Sequence, residues 1–236
     1  MKALMIRSFL FKFFFYIGLI LLCIIFLPSL IFPKKIAVFA GRLSGYWSII
    51  CLKIFLGTKI NVSGLENIIK NEKFFVACTH QSAFETFYLQ VILNSPYFII
   101  KKELTKIPIF GNYLKKIGCI WIDRDKISKD NINFFEKIEK SVENSNNPLV
   151  IFPQGKRYST KERPKFKKGV SRIYNLGLKC LPIVMNSGDV WPKNGRVLSN
   201  KNLNISILKP FNQKLDETFF LEELEKSMYL ELDKLS

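Results

Sequence analysis

His80 is the single histidine in a chain of 236 residues, and Glu85 follows it after four intervening residues. An imidazole and a carboxylate at that separation are suited to proton transfer. The run Phe74-Phe75-Val76-Ala77-Cys78 just before His80 is short, apolar and rich in β-formers, so it reads as a buried strand. Glu85-Thr86-Phe87-Tyr88-Leu89 reads as the start of a helix. A strand-to-helix turn lets His80 and Glu85 face each other across one loop. A carboxylate that accepts the Nδ1 proton fixes the imidazole tautomer and leaves Nε2 to take a proton from a hydroxyl. No serine or cysteine nucleophile is required if the substrate brings that hydroxyl. A lone histidine beside a helix-start glutamate is more often a structural pair, so the surroundings decide.

Three further stretches carry chemistry. Gly118-Cys119-Ile120-Trp121-Ile122-Asp123-Arg124 is a strand followed by an arginine, whose planar fork suits bidentate phosphate contacts. The competing reading pairs Arg124 with its neighbours Asp123 and Asp125. Phe152-Pro153-Gln154-Gly155-Lys156-Arg157 places two cations after a glycine that permits close backbone approach, a second candidate anion site. Leu181-Pro182-Ile183-Val184 is an apolar strand with Pro182 at its start, and Asn186-Ser187-Gly188 after it reads as a turn.

In this order and at these spacings the four blocks resemble those of the PlsC-like glycerolipid acyltransferases, the 1-acyl-sn-glycerol-3-phosphate (lysophosphatidic acid) acyltransferase kind. That family's pattern runs H-x4-D, G-x-x-F-I-D-R, F-P-E-G-T-R and V-P-[IV]. The resemblance covers about residues 60–210. It implies that His80 is the general base, with Glu85 orienting it, for direct attack of a glycerol hydroxyl on an acyl thioester. Positioned proton transfer of this kind supplies roughly 10²–10⁴-fold of a rate. By the same resemblance Arg124, Gly155, Lys156 and Arg157 bind the acceptor phosphate, while Gln154 and Pro182 border the substrate pocket. The chain departs from the pattern at Glu85, where the family has Asp, and at Gln154 and Lys156, where it has Glu and Thr. The implied product is phosphatidic acid, made from 1-acylglycerol 3-phosphate with acyl carrier protein or coenzyme A as acyl carrier. No metal or prosthetic group is implied, since the thioester is a co-substrate.

The elements that must position these blocks alternate. Apolar runs at 97–100, 119–122, 149–152, 181–184 and 204–208 read as strands, and 130–145, 168–178 and 217–235 as helices. The expected fold is α/β, a mixed central sheet flanked by helices with the site on loops at strand ends. Residues 1–57 read as a membrane-anchoring helical segment and 58–236 as the α/β acyltransferase domain. Phe13 to Phe32 carries no charge and is long enough to cross a hydrocarbon core. No small-x-small cleavage site follows, which sets aside a signal peptide. Pro28 and Pro33 leave open a helix that dips in and returns, and Ile36 to Leu56 can complete a hairpin, lie along the interface, or pack as a core helix.

The formal charge of +17 calls for an anionic partner. An anionic membrane surface and a phosphorylated lipid satisfy it, and no nucleic-acid-binding motif is present. Basic clusters at 101–116 and 156–168 flank the blocks, the second a candidate for headgroup or acyl-carrier docking. The five cysteines form no C-x-x-C pair and, with one histidine, no zinc set, so they read as reduced core thiols facing the cytoplasm. A hydrolase lacks its G-x-S-x-G elbow here. Two alternatives remain: acylation of another lyso-lipid such as lyso-ornithine lipid, and a basic membrane-tethered binding protein, which would leave the His80–Glu85 spacing idle.

Overall fold

The computed structural model describes residues 2–122, 134–194, 196–212 and 215–235. Seven strands form one sheet: β1 (Lys59–Ser63), β2 (Phe74–Cys78), β3 (Tyr97–Lys101), β4 (Ile120–Ile122), β5 (Leu149–Ile151), β6 (Lys179–Met185) and β7 (Asn202–Ile207). Their order is β1-β7-β6-β2-β5-β3-β4, and only the β6–β7 pairing is antiparallel. The mixed sheet read from the sequence is therefore present.

β2 lies in the middle, where both faces are covered, which explains why its sequence is continuously apolar rather than alternating. Successive side chains still point to opposite faces. Val76 and Cys78 enter one core, built with α1 (Lys2–Ile25), α2 (Lys34–Leu56), α3 (Phe84–Ile92) and α4 (Phe110–Lys116). Phe75 and Ala77 enter the other, under α5 (Phe134–Glu143), α6 (Gly169–Tyr174) and α7 (Glu217–Leu235). α7 buries Phe220, Leu224, Met228 and Leu232, a stripe at four-residue spacing that a helix puts on one side. β1 at the sheet margin shows no fully buried residue.

The N-terminal apolar segment folds back on itself. α1 ends at Ile25, a short 3₁₀ turn carries Pro28, and Pro33 caps α2, where its fixed φ suits the helix start. The two helices run antiparallel: Phe14 stacks on Phe55 at 4.9 Å, and Phe26 meets Phe39 at 6.0 Å. Between these contacts Gly18 lies against Trp47, where a Cβ would come within 2.1 Å of the indole nitrogen. Both helices are long and apolar enough to cross a membrane. They also pack on the domain. Phe11 and Phe15 bury against Trp191, and Gly45 of α2 touches the backbone of Phe87 in α3.

Two expectations change. The helix read over 168–178 is only Gly169–Tyr174, because Asn175 and Gly177, the latter at φ 88°, turn the chain into β6. Pro182 is not at a strand start. It sits inside β6, buried and paired with Ala77, and its carbonyl accepts from Leu208 N–H at 3.0 Å.

Candidate active site

β2 delivers His80 at the carboxyl end of the parallel strands. Thr79 pins that end: its N–H donates to the Ile183 carbonyl at 3.1 Å, and its hydroxyl accepts from Met185 N–H at 3.0 Å. The chain then turns into α3, whose first turn carries Glu85. The Glu85 carboxylate is fully buried and reaches back over that turn, accepting from Gln81 N–H and Ser82 N–H, each at 2.9 Å. The Ser187 hydroxyl donates to the same carboxylate oxygen. Its other oxygen stands 3.5 Å from His80 Nδ1, an ion-pair distance longer than a hydrogen bond, and catalytic contacts of this kind commonly tighten when substrate binds. Nδ1 is itself buried, and 17% of the imidazole side chain remains exposed. Phe152 stacks flat on the ring at 3.9 Å and fixes its plane.

The third block is bolted to the first. Gln154 Oε1 accepts from His80 N–H at 2.7 Å, and Tyr158 N–H donates to the His80 carbonyl at 2.9 Å. Gly155 between them holds φ 80°, which a side chain would strain. Lys156 is exposed, its ammonium 4.9 Å from the Tyr158 ring centre, and Arg157 is half-buried. Gln154 is therefore a brace on the His80 backbone.

α7 in turn grips the loop beyond. Arg163 pairs with Asp233, Lys165 with Glu225 at 3.0 Å, and Phe166 N–H donates to Glu225 at 2.7 Å. Two cations of the 156–168 cluster thus serve the C-terminal helix, which narrows the docking surface read from the sequence. Tyr229 of α7 donates its hydroxyl proton to the Pro164 carbonyl, and burial pushes its phenol up to about 12.

Arg124 lies outside the described residues; β4, which leads towards it, ends at Ile122. Ser187 is the site residue that sequence reading passed over as part of a turn. Its one sequence signal is a small polar residue after an apolar strand, and such residues are ordinarily turn formers. Gly188 N–H likewise donates to Gln81 Oε1 at 3.0 Å, so the turn after β6 backs the His80 loop at two points. Burial raises the Cys78 thiol well above its ordinary value, and the Glu85 charge adds to that. Burial does the same to Cys180. Both remain neutral thiols.

An apolar cavity of about 140 Å³ opens on the α1–α4 side of the sheet. Leu22 and Ala40 of the hairpin, Phe87 and Gln90 of α3, Phe98 of β3 and Tyr113 of α4 are among its walls. Phe98 stacks on Phe152 at 6.4 Å, and Phe152 on His80, so a row of rings joins the cavity to the imidazole.

A buried carboxylate beside a mostly buried imidazole, at the carboxyl ends of the strands of an α/β sheet, is the arrangement of a proton-transferring enzyme. Residues 59–186 match the family model described as Acyltransferase, and the chain belongs to that family. It is 33% identical over 144 residues to the 1-acyl-sn-glycerol-3-phosphate acyltransferase of Pseudomonas aeruginosa, a match covering 61% of this chain and 55% of that protein. With the enzyme of that name from Helicobacter pylori it shares 30% identity over 185 residues, 77% of each chain. With the one from Bacillus subtilis it shares 30% over 168 residues, covering 69% of this chain and 79% of the other. The chain spans about half the length of the first two curated relatives it matches, 55% and 54%. The fold is that of the 1-acyl-sn-glycerophosphate (LPA) acyltransferase PlsC from Thermotoga maritima, with TM-score 0.81 and 19% identity over 98% of this chain and 97% of that one.

Proposed function

We propose that this chain transfers a fatty acyl group from an acyl thioester, carried by acyl carrier protein or coenzyme A, to the free hydroxyl of 1-acylglycerol 3-phosphate. The observation that carries this reading is the buried Glu85 carboxylate set 3.5 Å from His80 Nδ1, with His80 itself hydrogen-bonded to Gln154 and Tyr158, the residues that flank Gly155–Arg157. The names of the relatives support the choice of acceptor. Glu85 holds the Nδ1 tautomer, and Nε2 takes the hydroxyl proton as the alkoxide oxygen bonds to the thioester carbonyl carbon. The tetrahedral adduct then expels the thiolate, which receives that proton back from the imidazolium. Gly155, Lys156 and Arg157, with Arg124, hold the acceptor phosphate. The cavity lined by Phe87 and Phe98 accepts a fatty chain. The hairpin anchors the enzyme to the cytoplasmic face of a membrane, where the lipid acceptor resides.

A membrane preparation carrying His80→Ala, assayed with labelled thioester and lysophosphatidate, is expected to lose about 10²–10⁴-fold in rate. Undiminished acylation would remove His80 from the chemistry. A panel of acceptors settles the headgroup, since equal turnover of a lyso-aminolipid without phosphate would favour that acceptor class instead.

A further inference from the structure

Between β3 and β4 the chain makes an unusual turn. Ile109 holds φ 62° and ψ −57°, and Phe110 N–H donates to the Pro108 carbonyl at 2.6 Å across it. This is a γ-turn of positive φ, a strained conformation and most of all for a β-branched residue. The surroundings enforce it. Gly111 N–H donates to the Ile107 carbonyl at 2.8 Å, and Gly111 approaches Thr105 so closely that a Cβ would sit 2.2 Å from its carbonyl oxygen. The strained turn holds Ile107 and Ile109 out in solvent, 44% and 36% exposed. Water gives no reason to hold two isoleucines there.

The chemistry around them suggests what does. Lys106 and Lys115 are exposed beside the turn and Lys116 is half-exposed. The single acid between residues 101 and 118, Glu103, is paired with Lys101 at 3.7 Å. The segment also continues the exposed apolar face of the hairpin. Tyr113 of α4 donates its hydroxyl to the Cys23 carbonyl of α1 at 2.9 Å, and α4 packs against the hairpin tip, where Ile31 and Phe32 are exposed. Its opposite side, through Leu104 and Phe110, walls the apolar cavity.

We propose that residues 104–116 are a second membrane-docking element, in which Ile107 and Ile109 enter an anionic bilayer at the headgroup–acyl boundary while Lys106, Lys115 and Lys116 lie at phosphate depth. This rests on the membrane-bound acyltransferase reading, and it places the cavity mouth at the lipid surface. Apolar insertion and lysine attraction act together in such elements.

The full chain carrying Ile109→Cys, labelled with an environment-sensitive fluorophore, is mixed with phosphatidylcholine vesicles with and without phosphatidylglycerol. The unsubstituted chain treated identically corrects for Cys23. A blue shift with the anionic vesicles is expected, and unchanged emission would overturn the proposal. In co-sedimentation, Ile107→Ser with Ile109→Gly is expected to weaken binding to those vesicles about tenfold. Lys106→Gln and Lys115→Gln should each weaken it about fivefold at low salt, with neutral vesicles unaffected. The isoleucine pair should keep the wild-type Tm or exceed it, because glycine tolerates the turn. It should also keep the wild-type rate on detergent-dispersed lysophosphatidate. Equal loss of rate in detergent and on vesicles would assign the segment to the site instead and overturn docking. A chain that shows the blue shift but transfers no acyl group from any thioester would retain docking and remove the acyltransferase reading.

Discussion

Glu85 is one methylene longer than the aspartate of the pattern it resembles, and the extra reach is used. One carboxylate oxygen accepts from the Gln81 and Ser82 amides and from the Ser187 hydroxyl, and the other faces His80 Nδ1. Glu85→Asp draws the carboxylate back by roughly 1.5 Å, one carbon–carbon bond. It should lower kcat because the shorter acid cannot hold both Ser187 and the imidazole. Ser187→Ala removes one hydrogen bond to a buried charge, a loss of about 1.5–3 kcal/mol in positioning. Steady-state kinetics should show it as a fall of about tenfold or more in kcat with acceptor KM nearly unchanged. A changed KM with intact kcat would instead place Ser187 in substrate binding. The His80–Glu85 pair was legible because both residues belong to one turn, where spacing alone sets geometry. Ser187 was not, since it meets Glu85 across 102 residues and only because β6 lies beside β2. Gln154 was read as a residue bordering the substrate pocket, but its bracing of the His80 backbone from 74 residues away was not legible, for the same reason.

At the scale of elements, apolar patterning read the strands and the C-terminal helix well, because burial on one or both faces writes itself into the sequence. Strand order was not written there. Nor was the use of Arg163 and Lys165, which pattern as a solvated basic run but bind carboxylates of α7. The hairpin gives a test of packing. A Cβ on Gly45 would lie 2.5 Å from the Phe87 carbonyl and 2.6 Å from Val91, with backbone on one side and a core side chain on the other. Gly45→Leu must therefore push α2 away from α3, the helix that carries Glu85. Overpacking of this kind costs about 1–3 kcal/mol. Thermal unfolding should show a lower Tm, and the acyl-transfer rate should fall although residue 45 is remote from the imidazole. An unchanged Tm would mean that the two helices are not closely packed.

For the whole molecule, Tyr229 marks the join between α7 and the loop that leads back to His80. Burial raises its phenol, so the folded state favours the neutral form. That contribution is complete below the ordinary phenol value near 10 and is lost as pH climbs towards about 12. The Tm advantage of the wild-type chain over Tyr229→Phe should therefore be greatest below about pH 10 and shrink above it. An advantage that grew with alkali would contradict the buried phenol.

The place of β2 in the sheet bears on synthesis. It is the second strand to be made, yet its neighbours on either side are residues 149–151 and 179–185. A ribosome that has delivered only the first half of the chain has made a histidine with no fixed plane and a glutamate with no serine to hold it. Premature termination anywhere before about residue 187 should leave an inert fragment, so a first turnover reports that β6 has docked beside β2.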